Sequence, residues 1–161
     1  MTQARRFLIR KATPADRNRL TEIFRVVRAM IFPSSPIRAE SVDDFLRETA
    51  GELVLVASDS DGVIQGWISI WQPESFVHHL YVDPSIQGRG VGRSLLGALP
   101  RWVPPPYRLK CLRANIAAMD YYTRRGWIEI GSGASEEGGY ALLEWRLNVP
   151  PPTLFPRAAR I

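Results

Sequence analysis

The hydrophobic pattern of the first fifty residues predicts one short strand followed by two helices. Phe7 to Ile9 form a short apolar run, and Thr13-Pro14-Ala15-Asp16 then supplies an N-cap, a first-turn proline and an acidic third position. Apolar residues after it recur at steps of three and four, which predicts one buried helical stripe that ends before Pro33 and Pro36. Ser41 to Asp44 repeats the capping pattern for a shorter helix. The stripe consists of Leu20, Ile23, Phe24, Val27, Met30 and Ile31.

Strand signals dominate the next part of the chain. Leu53 to Ala57 and Val63 to Trp71 flank the polar turn Asp59-Ser60-Asp61-Gly62, so these two runs predict a hairpin. A third run extends from Phe76 to Val82 and stops at Asp83-Pro84, because proline cannot donate to a strand ladder.

The second half alternates helices with strands. Val91 to Leu99 predict a helix, Tyr107 to Leu112 a strand, and Asn115 to Arg125 another helix. Two last strands, Trp127 to Ile130 and Tyr140 to Leu147, enclose a loop of glycine, serine and glutamate. The order β-α-α-β-β-β-α-β-α-β-β predicts a mixed sheet with helices on both faces.

Length and composition are those of one globular domain. The chain has 161 residues, of which 45% are hydrophobic, enough for one core. We take residues 1–148 as the domain and 149–161 as a proline-rich tail. The lone Cys111 lacks a disulfide partner and the Cys/His company of a metal site, so we expect no metal and a reducing, cytoplasmic setting. No run reaches the length of a membrane span, so no membrane partner is expected.

The positive charge and the tryptophans raise nucleic acid as an alternative partner. The chain carries 21 Lys+Arg against 16 Asp+Glu, a net charge of +5, but these residues are spread along the chain as on a solvated surface. Trp67, Trp71, Trp127 and Trp145 fall in predicted strands, where large apolar residues pack into the core. No nucleic-acid-binding motif accompanies them, so we expect no nucleic-acid partner.

A glycine-rich loop joins the fourth predicted strand, Phe76 to Val82, to the following helix. Its sequence is Gln87-Gly88-Arg89-Gly90-Val91-Gly92-Arg93-Ser94. Glycines allow the backbone to fold closely around a ligand, and the first amides of a helix attract an anion such as a diphosphate. Arg93 excludes two other phosphate-binding motifs. A Walker loop would need lysine at this position, and a dinucleotide-binding fingerprint would need glycine there. A glycine-rich turn without a ligand is the plain alternative.

Two segments match the motifs of one enzyme family. Gln87, Gly90 and Gly92 match the pattern Arg/Gln-x-x-Gly-x-Gly/Ala. The segment from Asn115 to Trp127 matches Asn-x-x-Ala-x-x-aromatic-Tyr-x-x-x-Gly-aromatic. The chain thus resembles the GNAT superfamily of acetyl-CoA-dependent N-acetyltransferases over residues 7 to 147. The resemblance implies an α/β (α+β mixed) fold with a mostly antiparallel sheet of six or seven strands, splayed between the fourth and fifth.

The resemblance also implies how acetyl-CoA, the expected cofactor, is bound. Leu80, Tyr81 and Val82 match the part of the fourth strand that pairs with the pantetheine arm. The amides of Gly88 to Arg93 match the pyrophosphate site, with the side chains of Arg89 and Arg93 as charge partners and Ser94 at the end of the loop. Asn115 matches a residue that contacts the cofactor arm.

The resemblance assigns a leaving-group role to one tyrosine. Tyr122 matches the tyrosine often proposed to protonate the departing thiolate, and a nearby phenol can stabilise a sulfur anion. The adjacent Tyr121 cannot share its helix face, so one of the two is expected to be a packing residue.

A base must also take a proton from the acceptor amine, and the fourth strand carries the only two histidines of the chain, His78 and His79. Because successive strand residues point to opposite faces, we expect at most one of them to address the cleft. His78 is the first choice, since it matches a histidine of arylalkylamine-type family members. A role for both as substrate-pocket lining or surface groups, without base function, is equally open, and Glu74 and a bound water are the reserve candidates for the base.

The expected reaction transfers the acetyl group of acetyl-CoA directly to a primary amine of a small molecule, protein or peptide. The acceptor should bind over the N-terminal helices, with Ile31 to Arg38 as a rim, and a homodimer is frequent in families of this kind. A second hypothesis is a non-catalytic acyl-CoA-binding sensor or partner domain of the same fold. A third is a nucleic-acid-binding module that uses the basic surface.

Overall fold

The fold is a seven-stranded sheet in the order β1-β2-β3-β4-β5-β7-β6, seen in a computed structural model that describes residues 6–33 and 41–146. Neighbouring strands are antiparallel except β4 and β5, which are parallel. The strands are β1 (Leu8–Lys11), β2 (Leu53–Ser58), β3 (Ile64–Trp71), β4 (Phe76–Val82), β5 (Tyr107–Leu112), β6 (Ile128–Ser135) and β7 (Gly138–Trp145). The helices are α1 (Arg17–Ile31), α2 (Val42–Glu48), α3 (Val91–Ala98) and α4 (Ile116–Arg124).

The two N-terminal helices begin at the predicted caps. A short 3-10 turn, Pro14–Asp16, leads into α1, and the Asp16 carboxylate accepts a hydrogen bond of 2.7 Å from the Thr13 backbone N–H. The hydrogen bond from Arg10, with the further bonds from Thr13, lowers the pKa of Asp16 to about 2. At α2, the Ser41 hydroxyl accepts from the Asp44 amide at 3.2 Å.

Each face of the sheet has its own hydrophobic core. Helices α1 and α2 cover one face, and α3 and α4 cover the other. Full burial of a large apolar side chain stabilises the fold by about 2 kcal/mol, so both cores contribute to stability. These two cores confirm the predicted mixed sheet with helices on both sides. The α1/α2 core includes Leu20, Ile23, Phe24, Phe45, Val56 and Trp67, and the α3/α4 core includes Val91, Leu95, Leu99, Tyr107, Tyr122 and Trp127.

The sheet splays between β4 and β5. These strands pair only through Phe76 with Arg108 and Val77 with Leu109. Further along, β4 remains paired with β3 as far as Val82, and β5 remains paired with β7, but not with each other. A wedge therefore opens between their carboxyl-terminal halves, as predicted.

The structure corrects some of the sequence expectations, and others fall outside the described residues. The predicted glycine, serine and glutamate loop is mostly strand, because β6 and β7 extend until only Glu136 and Glu137 form the turn. Trp71 is 39% exposed at the end of β3 rather than buried in the core. Pro36, residues 34–38 of the expected acceptor rim, and the tail at 149–161 lie outside the described residues. Within the described ranges, no helix combines the length and apolar character needed to cross a membrane.

Candidate active site

The glycine loop has open space around two glycines and leads into the first, unpaired amides of α3. Gly88 and Gly90 have φ angles of +79° and +91°, in the left-handed region that side chains avoid. The Ser94 N–H donates to the Gly90 carbonyl at 2.9 Å, so the three preceding amides, 91–93, have no partner within α3. A Cβ atom added at Gly88 or Gly90 would meet no atom within 4 Å. Free amides, a helix dipole and open space together suit an anion.

Most polar side chains of the loop face solvent. Gln87, Arg89 and Arg93 are exposed, so both guanidinium groups can turn toward an anion at the start of α3. The Ser94 hydroxyl differs, because it donates to the Gly90 carbonyl at 2.9 Å and is thus used within the helix. The charge of the predicted site therefore comes from two arginines.

The other two loop positions, Val91 and Gly92, serve packing. Val91 is 1% exposed and belongs to the α3/α4 core. A Cβ at Gly92 would lie 2.9 Å from the Tyr121 hydroxyl, which is buried and has no hydrogen-bond partner among the described residues. The Arg125 guanidinium stacks 3.5 Å from the centre of the Tyr121 ring. Gly92 therefore allows α3 to approach α4 closely, a role that the motif alone did not reveal.

The three predicted positions on β4 lie beside the wedge. Leu80 and Val82 pack toward the α3/α4 core, whereas Tyr81 stacks on Phe24 of α1 with ring centres 5.9 Å apart. Burial raises the pKa of Tyr81 to about 12, so its phenol stays protonated. The last β4 residue that pairs with β5 is Val77. The backbone edge of residues 80–82 is therefore open to a ligand that supplies strand-like hydrogen bonds.

Tyr122 on α4 is a buried member of the α3/α4 core. Burial raises the pKa of Tyr122 far above the ordinary value, with smaller contributions from Cys111, Tyr121 and Tyr81. Burial also raises the pKa of the Cys111 thiol to about 11, which fits the predicted small buried hydrophobe. Asn115 caps the same helix, since its Oδ1 accepts from the Ala118 N–H at 3.2 Å.

A β-bulge in β4 sets the direction of the two histidines. Ser69 pairs with His79, but the next β3 residue, Ile70, pairs with Val77, so His78 is an extra residue in β4. Both imidazoles contact groups of the α1/α2 side of the sheet. The bulge interrupts the alternation of the strand on which the expectation for the two histidines rested, and which of them addresses the cleft stays a prediction.

His79 is the buried member of the pair. It is 7% exposed, and its Nδ1 lies 2.7 Å from the hydroxyl oxygen of Ser69. Its Nε2 is 3.9 Å from a carboxylate oxygen of Glu48 on α2. Burial lowers the pKa of His79 to about 4, with smaller contributions from His78 and Arg28. The ring is therefore neutral near pH 7.

His78 is the accessible member, and it contacts a residue that sequence reasoning missed. Its side chain is 45% exposed, and its Nδ1 forms a close contact with Oε1 of Glu52. The Glu52 side chain is only 5% exposed and borders a cavity of about 400 Å³ beneath α2. Glu52 belongs to no motif and lies 26 residues away in sequence, so no local signal indicated it. In the described part of the chain, Glu74 forms no hydrogen bond with either imidazole.

Solved structures similar to this chain share its fold. A GCN5-related N-acetyltransferase from Rhodopseudomonas palustris superposes with a TM-score of 0.74 at 18% identity, over 91% of this chain and 99% of that one. YncA from Salmonella typhimurium, solved with its cofactor acetyl-CoA, has a TM-score of 0.64 at 23% identity, over 91% of this chain and 96% of that one.

Sequence comparisons identify the family. An aminoglycoside N(6')-acetyltransferase type 1 from Stenotrophomonas maltophilia is 30% identical in an alignment of 105 residues that covers 58% of this chain. The chain spans 65% of the length of that curated relative. The profile described as Acetyltransferase (GNAT) family matches residues 17–127. Together with the motifs and the splayed sheet, this match shows that the chain belongs to the GNAT acetyltransferase family.

Proposed function

We propose that this chain is an N-acetyltransferase that moves the acetyl group of acetyl-CoA directly to a primary amine of a small molecule, protein or peptide. The observation that carries the proposal is the wedge between β4 and β5, which leads to the open N-terminus of α3. A cofactor with a long amide-containing arm and a diphosphate needs both features next to each other. Family membership and the acetyl-CoA-bound relative support the same function.

The proposed cofactor site follows the chain from the wedge to the helix. The backbone of Leu80, Tyr81 and Val82 would pair with the pantetheine arm, and the amides of residues 88–93 would hold the pyrophosphate. Arg89 and Arg93 would neutralise its charge, and Gln87, Ser94 and Asn115 would border the site. Acetyl-CoA supplies a thioester that is activated toward attack by an amine.

In the proposed reaction, the chain positions the reactants and assists two proton transfers, one from the amine nitrogen and one to the departing sulfur. The amine nitrogen forms a bond to the thioester carbon while the carbon–sulfur bond breaks, the nitrogen gives up one proton and the sulfur gains one. We assign the base role to His78, because its imidazole is accessible and lies against a carboxylate. His79, with its pKa lowered to about 4, would line the acceptor pocket as a neutral group.

Tyr122 is the proposed stabiliser of the leaving group. Because burial raises its pKa, the phenol stays protonated and can donate a hydrogen bond to the departing sulfur. Complete transfer of its proton would be uphill, since an ordinary thiol has a pKa of about 8.5. We therefore propose that Tyr122 acts mainly as a hydrogen-bond donor.

The acceptor is proposed to approach from the α1/α2 side of β4. Glu48 and Glu52 lie beside the two histidines there, and carboxylates favour a cationic amine. A relative named for N(6')-acetylation of aminoglycosides makes this class of polyamine a first acceptor to test. The expected cytoplasmic setting and homodimer stay predictions.

The test combines calorimetry with an assay of thiol release. The purified protein is titrated with acetyl-CoA and then incubated with aminoglycosides, polyamines, amino acids and peptides. Binding heat together with thiol release above the amine-free rate is the expected result. Binding heat without release from any acceptor would favour the non-catalytic sensor, and the absence of binding heat would overturn the proposal.

A further inference from the structure

A buried carboxylate lies directly against the accessible histidine of β4. Oε1 of Glu52 contacts Nδ1 of His78, although 26 residues separate them in sequence. We propose that Glu52 is a positioning residue, which accepts the Nδ1–H of His78 and thereby leaves the lone pair of Nε2 free for the acceptor amine. This inference rests on the proposed function, because it takes His78 to be the base.

The surroundings of Glu52 favour a fixed hydrogen bond. Its backbone N–H donates to the Thr49 carbonyl at 3.1 Å, which anchors the residue between α2 and β2. Its side chain is 5% exposed, and its second oxygen, Oε2, is buried with no hydrogen-bond partner among the described residues. Burial of a carboxylate is costly unless a donor compensates for lost hydration. The contact with His78 therefore stabilises Glu52 as well as orienting the imidazole.

The chemistry of the two groups determines the tautomer. A neutral imidazole carries a single N–H, and an ionised carboxylate can only accept a hydrogen bond. A carboxylate at Nδ1 thus selects the Nδ1–H form and places the lone pair on Nε2. The His78 ring also contacts the ring of Phe76, with ring centres 4.9 Å apart.

Other charged groups near His78 do not replace this contact. On β4 itself, His79 lies 6.4 Å from His78 between ring centres, and its own Nδ1 is paired with Ser69 at 2.7 Å. A carboxylate oxygen of Glu48 on α2 lies 3.9 Å from Nε2 of His79, and the positive charge of Arg28 on α1 helps to lower the pKa of His79. Of these groups, Glu52 is the one in hydrogen-bond contact with the proposed base.

The variant Glu52→Gln tests the tautomer directly. Glutamine has nearly the same size, but its amide can donate to Nδ1 and so favour the Nε2–H form, which removes the lone pair from the reacting side. Nitrogen-15 shifts of His78, assigned with His79→Gln, should change from the Nδ1–H to the Nε2–H pattern. We expect kcat to fall about a hundredfold, as for loss of a general base, with an unchanged KM for acetyl-CoA.

A matched control and a double-mutant cycle complete the test. Glu129→Gln removes an exposed carboxylate that pairs with Arg113, and it should change neither the His78 shifts nor kcat. If Glu52 acts through His78, Glu52→Gln should cause no further loss of kcat in a His78→Gln background.

Three results would overturn the proposal. The first is an unchanged His78 tautomer in Glu52→Gln, and the second is an undiminished kcat in the same variant. The third is a full further loss of kcat when Glu52→Gln is added to the His78→Gln background. If the wild type transfers no acetyl group, the proposed function fails, but the nitrogen-15 shifts still show whether Glu52 sets the tautomer.

Discussion

The two sides of β4 differ in the kind of group that they offer a ligand. Toward α3 and α4, the candidate groups are mainly backbone amides and one buried phenol, Tyr122. Toward α1 and α2, they are ionisable side chains, namely Glu48, Glu52, His78 and His79. A main-chain site depends on conformation and tolerates changes of many side chains, whereas a side-chain site can change specificity through single substitutions. The contrast teaches that the cofactor and the proposed acceptor can be recognised by different means within one fold.

The largest expected effect comes from Gly90→Asp on the main-chain side. The substitution forces a side chain onto a φ of +91° and places a negative charge where the pyrophosphate is proposed to bind. We expect the affinity for acetyl-CoA to fall about a thousandfold, since juxtaposed like charges cost several kcal/mol. Calorimetry measures this loss, and circular dichroism confirms the fold.

The control for this substitution is Gly97→Asp, which adds the same charge further along α3. A Cβ at Gly97 would meet no atom within 4 Å, so the change should be tolerated. Equal binding losses in both variants would refute a pyrophosphate site at the loop.

A smaller effect is expected for Tyr122→Phe, which removes a hydroxyl from the same side. Loss of a hydrogen bond to the departing sulfur should lower kcat about a hundredfold, while the KM for acetyl-CoA stays within a factor of about two. Steady-state thiol release provides both constants. Tyr121→Phe is the matched control, because the Tyr121 hydroxyl is buried without a partner among the described residues, and its removal should leave kcat unchanged. A larger loss in Tyr121→Phe than in Tyr122→Phe would reverse the two roles.

The smallest effect concerns stability on the side-chain face, through His79. Its pKa is lowered from 6.5 to about 4 in the fold, so the unfolded chain binds a proton first as the pH falls. The stabilisation is complete above pH 6.5 and is lost toward pH 4. The wild type should therefore lose about 2 kcal/mol more of its unfolding free energy than His79→Gln between pH 7 and 4.5. Urea unfolding at both pH values measures the difference, and parallel losses would show that His79 is not buried as a neutral group.

Much of the main-chain side could be predicted from the sequence because its contacts are local. The strand that ends at Val82, the loop glycines and the α3 helix follow one another within a short segment, and each has a recognisable signal. The mixed sheet with helices on both faces followed from the order of such segments, whereas its mostly antiparallel, splayed form followed from the resemblance to the GNAT superfamily. Gly92 shows the limit, since its contact with Tyr121 joins two helices that the motifs do not relate in space.

The side-chain face could be predicted only in part, because it depends on contacts between distant segments. The sequence identified His78 and His79 as candidates, but the bulge arises from the pairing of β3 with β4, which alternation within β4 cannot reveal. Glu52 reaches His78 across β3 and has no motif of its own. The boundaries of β6 and β7 were missed because glycines normally indicate a loop, yet pairing with a neighbour held them in strand form.

The short pairing of β4 with β5 has a mechanical consequence. It divides the sheet into a four-stranded plate and a three-stranded plate, joined by two residue pairs at Phe76 and Val77. An extended molecule bound between these two parts of the sheet would supply the strand-like hydrogen bonds that β4 and β5 do not form with each other. Binding of the ligand would then hold the two plates together. The affinity for the ligand would therefore add directly to the free energy of unfolding of the whole domain.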